Sequence, residues 1–342
     1  MEGLRGFAAI VIYLRHASDL TGFPLPSSHL AVDLFFVVSG FVLAHAYEDR
    51  FRRGMTPTAF MRLRLIRLYP LYLLSLAAAV AGVVFWRLYD GRSDWSASHL
   101  AQALLLNGLF LPDRGLYGEA YPLNLPAWSL FLELFVCGLF ALTWRWLSDR
   151  LLLAVVLVNA VALVFCAAHF GSLSLGWDWK TFWGGFPRVL FSFPLGVLIY
   201  RRLSQGSAGP LGAWLAPALV IFLLVFSPGR FQATYELACV LVLLPLLVVL
   251  AAKAEVGRGL TRLFGFVGAT SYALYVLHVP ALAFVKHALL YRPATPVSVT
   301  LVLALVLVAL LLAASWAVDR FYDAPLRAWL GRRARSPRQA RR

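Results

Sequence analysis

Leu4-Arg5-Gly6-Phe7-Ala8-Ala9-Ile10-Val11-Ile12-Tyr13-Leu14-Arg15-His16 opens the chain, and after a short connection comes Ala31-Val32-Asp33-Leu34-Phe35-Phe36-Val37-Val38-Ser39-Gly40-Phe41. Both runs are apolar enough to be buried helices, and each carries charge where hydrocarbon tolerates little. At about 100° per residue, the eleven steps from Arg5 to His16 make three turns plus about 20°, so the two side chains share one face about 16 Å apart. A cation and a titratable imidazole thus stand at opposite ends of one face. Asp33 brings a carboxylate into the next run, and an imidazole and a carboxylate on consecutive helices make a candidate acid/base pair.

The rest of the chain explains what these helices are embedded in. Of 342 residues 61% are hydrophobic and 14% charged, with a mean hydropathy of +0.76. That composition excludes a soluble domain of this length and predicts an all-α polytopic membrane bundle. Ten stretches reach spanning length: 4 to 22, 29 to 47, 69 to 88, 126 to 146, 151 to 170, 183 to 200, 210 to 228, 232 to 252, 264 to 288 and 297 to 320. An eleventh, His99 to Leu111, is short and carries Gln102 and Asn107, which predicts a re-entrant or interfacial segment. With ten crossings, 22 of the 31 basic residues fall on the side of the N-terminus, so both termini are expected in the cytoplasm of a cell-membrane protein. The net charge of +15 therefore reads as topology and not as nucleic-acid binding. Residues 325 to 342 read as a short basic cytoplasmic tail, disordered and able to lie on anionic lipid headgroups. Cys137, Cys166 and Cys239 stand singly in apolar runs, which predicts neither disulfide nor metal site.

The candidate site residues each have two readings. His16 is a general base or a histidine that only hydrogen-bonds a neighbouring helix. Asp33 orients His16 or pairs with Arg15 at the outer interface. Arg5, Arg64 and Arg67 bind phosphate groups or merely mark the cytoplasmic boundary. Glu133, about 12 Å inside its span, is costly in hydrocarbon and so functional by default, or else a counter-ion for Arg188. Ser271, Tyr275 and His278 share a face at i, i+4 and i+7, with His278 a second candidate base and packing as the plainer reading. His29, His45, His99, His169 and His287 lie near span ends and read as interfacial. Arginine, aspartate, glutamate and histidine inside ten spans also describe a proton-coupled transporter or a lipid-glycan flippase.

Together these motifs resemble the membrane-bound acyltransferase family 3, which includes O-antigen and exopolysaccharide O-acetyltransferases. The resemblance rests on Arg5 to His16, on Val32 to Phe41 with Ser39, on Arg64-Leu65-Ile66-Arg67-Leu68-Tyr69-Pro70, on Trp128-Ser129-Leu130 with Glu133, and on Ser271-Tyr272 through His278. It implies a ten-helix acyltransferase domain over residues 1 to 324. It also implies acetyl-CoA or another acyl-CoA as co-substrate, with no permanently bound cofactor. The acceptor would be a hydroxyl of a glycan, a lipid-linked sugar or a small molecule. Arg5 and His16 match the family's essential pair, and Asp33, Arg64, Arg67 and Glu133 match its other recurrent polar positions. The mechanism expected from it has His16 as base and Asp33 as its orienter, with Arg5, Arg64 and Arg67 on the donor's phosphates. A covalent acyl-histidine is the alternative route. The chain begins almost on the first motif and ends without the fused esterase-like domain some members carry, so a truncated start and no second acceptor-handling domain are expected.

Overall fold

The computed structural model describes residues 1–91, 95–114, 118–203, 206–290 and 297–334, and among these the regular structure is helical, with one isolated β-bridge between Glu119 and Asp178. The helices are α1 (Glu2–His16), α2 (Ser18–Thr21), α3 (Ala31–Arg52), α4 (Pro57–Asp90), α5 (Ala97–Gly108), α6 (Ala127–Thr143), α7 (Asp149–Phe170), α8 (Gly185–Arg202), α9 (Gly209–Val225), α10 (Gln232–Ala238), α11 (Leu244–Lys253), α12 (Arg258–Leu290), α13 (Val297–Val318) and α14 (Ala324–Ala334). A π-turn over Cys239–Leu243 joins α10 to α11 into one rod, so all ten expected stretches are helical. Among the described residues seven helices are long and apolar enough to cross a membrane and α6 and α9 are shorter apolar helices, while α1, at 15 residues, is in neither group, and the result is a polytopic helical membrane bundle.

Helices α3 and α8 pack side by side in the same direction and are fastened at three levels. At one end Arg188 meets Asp33 through a fork, Nε to Oδ1 at 3.1 Å and Nη2 to Oδ2 at 2.6 Å, and both residues are essentially inaccessible, 0% and 1% exposed. In the middle the backbones touch: a Cβ on Gly40 would collide with the Phe193 carbonyl, and one on Gly196 with the Val37 carbonyl. At the other end Arg201 donates through Nε to Glu48 at 2.7 Å. Such close approach by small residues is how helices associate where lipid offers no hydrophobic driving force.

A second parallel pair, α1 and α12, sets the first motif. Gly6 lies so close to Val267 that any side chain would overlap it, and His16 comes level with His278, their ring centroids 5.1 Å apart. Tyr13, buried between them and α13, donates to the Ala304 carbonyl at 2.6 Å.

The eleventh segment folds back. At 12 residues α5 is about 18 Å long, short of the roughly 30 Å hydrocarbon core. It ends against α4, where Tyr72 donates to the Asn107 carbonyl at 2.7 Å and Tyr69 to that of Gly108. The reversal falls at Phe110, a non-glycine residue in left-handed backbone (φ 56°), whose ring stacks on Tyr72 at 4.0 Å. The basic tail departs from expectation: residues 324–334 continue as helix α14, packed on α4 through Asp323, and only 335–342 lie outside the described residues.

The α3–α8 contact generates two stability predictions. Gly40→Ala, which puts a methyl into backbone, should cost more stability than a typical overpacking change of about 1–3 kcal/mol, read as a lowered melting temperature in detergent. Asp33→Asn strands a buried guanidinium and should cost about 3–5 kcal/mol, read as a large drop in melting temperature and yield. Arg188→Lys should fail in the same direction, because an ammonium cannot make the fork.

Candidate active site

Two cavities meet inside the bundle. The inner one, about 110 Å³, is lined by Arg5 from α1, Ser39 from α3, Arg64 and Arg67 from α4, Ser129 and Glu133 from α6, and Ser271, Tyr272 and Tyr275 from α12. The outer one, about 440 Å³, is lined among others by Arg15, His16, Trp128, Trp177, Arg188 and Lys286. Val32 and Tyr275 line both and form the boundary between them. Tyr275 is held there by a 2.7 Å hydrogen bond with Ser129 and an edge contact to Phe35 at 5.6 Å. The helical spacing of the first motif thus delivers Arg5 to one cavity and His16 to the other.

The polar groups of the inner cavity are mutually engaged. Glu133 takes Arg64 as its ion-pair partner and accepts from Ser39 at 3.1 Å; it does not reach Arg188. Arg67 pairs with Asp323 at 3.3 Å, and its guanidinium lies over the Tyr272 ring at 5.5 Å. Ser271 donates to its own helix, to the Gly268 carbonyl at 2.7 Å. The Arg5 guanidinium, which also lines this cavity, makes no hydrogen bond or ion pair with the described residues.

In the outer cavity His16 projects from the end of α1 with its ring centroid 5.1 Å from that of His278. The Leu274 carbonyl, 3.0 Å from His278 Nδ1, can only accept, so that nitrogen carries a proton and the buried Nε2, which has no protein partner, presents a lone pair when the ring is neutral. Asp33 does not orient His16. Its carboxylate is turned away toward α8 and saturated by Arg188, and it lines neither cavity. Nor does it pair with Arg15, which donates to the Leu25 carbonyl at 3.1 Å. Arg188 reaches past Asp33 to the carbonyls of His29 (3.0 Å) and Leu175 (2.6 Å) and lies 5.1 Å over the Trp128 ring.

Two further residues emerge from the structure. His29 is buried in the protein: Nδ1 donates to the Pro26 carbonyl at 2.7 Å and Nε2 lies 3.5 Å from Glu236, which also accepts from the Leu173 amide at 2.6 Å and from Ser172 and Gln232. The signal available was Glu236 itself, a lone carboxylate in an apolar run like Glu133. Asp323, fully buried beneath Arg67 and paired with Arg327 at 2.7 Å, was hidden among the arginines that follow it.

Comparison with known proteins agrees with this architecture. The chain is 42% identical over 186 residues to Protein 2 in picA locus of Rhizobium radiobacter, covering half of this chain and 94% of that protein. It is 29% identical over 316 residues to Acyltransferase MdmB of Streptomyces mycarofaciens, covering 81% and 77% of the two chains. It is 27% identical over 288 residues to Exopolysaccharide production protein ExoZ of Rhizobium meliloti (strain 1021), covering 80% and 83%. No solved structure matches it. The profile of the acyltransferase domain family Acyl_transf_3 matches residues 1–320, so the transporter and flippase readings fall away, and the chain belongs to that family as a membrane-bound acyltransferase.

Proposed function

We propose that this enzyme moves an acyl group, acetyl in the simplest case, from cytoplasmic acyl-CoA to a hydroxyl of a glycan, a lipid-linked sugar or a small-molecule acceptor on the other side of the cell membrane. The observation that carries this reading is the pair of cavities that meet at Val32 and Tyr275, with Arg5 in the inner one and His16 in the outer one. The excess of basic residues on that side supports a cytoplasmic inner cavity, with both termini and the α3–α4 turn on the same side. An extended pantetheine arm is about 17 Å long, the reach of five extended residues, which matches the axial separation of Arg5 and His16. Trp128 and Trp177 give the outer cavity flat apolar faces, and Arg15, Asp19 and Lys286 give it polar groups, a lining suited to a polyhydroxylated acceptor.

In this mechanism a ring nitrogen of His16 takes the proton of the acceptor hydroxyl as its oxygen attacks the thioester carbonyl. The C–O bond forms, the C–S bond breaks, and the imidazolium returns the proton to the departing thiolate of coenzyme A. His278, with its lone pair at Nε2, takes over the supporting role expected of Asp33 by steadying the His16 imidazolium. Glu133 acts as the counter-ion that holds Arg64 at the wall of the donor cavity and is not itself a base.

The test is transfer from radiolabelled acetyl-CoA by purified protein, with surface glycans and secreted small molecules compared between cells with and without the gene. Wild-type protein should release coenzyme A in an acceptor-dependent manner and leave an acyl ester on the acceptor. His16→Ala should lower kcat by about 10²- to 10⁴-fold while still binding acetyl-CoA. Full transfer by that variant would remove His16 from the chemistry, and absence of acyl-CoA binding by the wild type would remove the donor. His278→Leu should lower kcat by at least 10-fold with little change in the KM for acetyl-CoA, whereas a purely packing role would show as a lowered melting temperature with kcat preserved.

A further inference from the structure

The inner cavity, at about 110 Å³, is smaller than the roughly 300–1,000 Å³ of ordinary small-molecule sites, and two of its three arginines are already paired with carboxylates. A nucleotide carrying a 3′-phosphate and a 5′-pyrophosphate does not fit there. Next to it, on the same end of the bundle as Arg67 and Asp323, lies a groove of about 1,010 Å³ between the α3–α4 turn and α14. Its wall includes Arg50 and Arg53 from the end of α3, Arg62 from α4, and Arg327 and Arg332 from α14, with no carboxylate among the lining residues. Arg327 is paired with Asp319 and Asp323 behind the wall. Arg50 lies over the Tyr47 ring at 5.3 Å, and Arg53 and Arg332 are exposed and make no ion pair with the described residues. Thr56, Thr58 and Ala59 complete the floor at the first turn of α4, where Thr56 caps the Ala59 amide at 3.2 Å and the positive end of a 34-residue helix faces the groove.

We propose that this groove holds the adenosine 3′,5′-bisphosphate end of the acyl-CoA donor, with Arg50, Arg53 and Arg332 as its phosphate ligands; the assignment rests on the acyl-CoA reading above. The lengths agree. From Val32, at the boundary of the two cavities, to Arg50 is eighteen residues of one continuous helix, about 27 Å. A pantetheine arm covers about 17 Å of that, and the pyrophosphate and ribose cover the remaining 10 Å or so. The two linings adjoin along both helices: the inner cavity reaches Leu43 on α3 and Arg64 on α4, and the groove begins one turn further at Tyr47 and next door at Leu63. Arg5, in the inner cavity with Leu43, then stands at the inner end of the arm where it joins the pyrophosphate, and the rest of the charged nucleotide stays outside the hydrocarbon.

A lipid headgroup offers the same phosphate chemistry, so the experiment separates the two sources. Purified protein in nanodiscs of neutral phosphatidylcholine is assayed with acetyl-CoA and with S-acetyl-4′-phosphopantetheine, which has the arm but no nucleotide. Adenosine 3′,5′-bisphosphate serves as competing ligand. Wild-type protein should prefer acetyl-CoA, and the bisphosphate should inhibit that donor competitively. Arg53→Glu and, on a separate element, Arg332→Glu should each reduce the ratio of kcat/KM between the two donors about 10-fold or more and weaken inhibition in parallel, as expected for loss of a charge-assisted phosphate contact. Equal losses on both donors, or an unchanged ratio, overturn the proposal while leaving the acyl-CoA reading intact. An effect of the two variants that appears only when anionic lipid is added, with no inhibition by the bisphosphate, overturns it in favour of a lipid site. Wild-type protein that transfers from neither donor overturns the donor reading and this proposal with it.

Discussion

A carboxylate and a guanidinium inside a membrane bundle are each prohibitive alone and tolerable only as a well hydrogen-bonded pair. Arg188 and Asp33 meet that condition, since the arginine spends four of its five N–H groups on the two Asp33 oxygens and the carbonyls of His29 and Leu175. The requirement fixes the register of α3 against α8, and the glycines at positions 40 and 196 then let the two backbones close on each other. Because Arg188 also lies over Trp128, one side chain ties the second span, the turn before it, the loop before α8 and the start of α6 into the wall of the outer cavity.

Both tightly packed helix pairs run parallel, and this decides what shares a level. In α3 and α8 the charged contacts sit at the two ends and the backbone contact in the middle. In α1 and α12 the near-contact at Gly6 lies at one end and the two imidazoles meet at the other. Polar groups that are hundreds of residues apart in sequence are thereby stacked in layers, with Arg67, Asp323 and Tyr272 on one and His16 with His278 on another.

Periodicity and length made the ten helices legible, along with the short eleventh and the shared face of Arg5 and His16, because these are properties of a single segment. Partner choice was not legible. Asp33 is close to His16 in sequence, and a short connection argued for contact, yet the face of α3 that carries it is covered by α8 and not by α1. Glu133 was matched with the wrong arginine for the same reason, since α4 and not α8 lies across from it. His29 escaped because its position near a span end suggested water, whereas the Pro26–Leu30 turn folds it inward onto Glu236. Asp323 escaped because neighbouring arginines made the whole segment look like a solvated tail, when its first eleven residues are helix resting on α4.

The Asp33–Arg188 pair also imposes an order on biosynthesis. The two residues are 155 positions apart, and at roughly 5–20 residues per second a ribosome needs about 8–30 s to deliver the second after the first. During that interval the second span carries Asp33 without the partner it has in the folded bundle. The α3–α8 contact can close around this pair only once α8 has emerged. A transcript broken before α8 would therefore yield a fragment with an unanswered buried charge, a ready signal for membrane quality control.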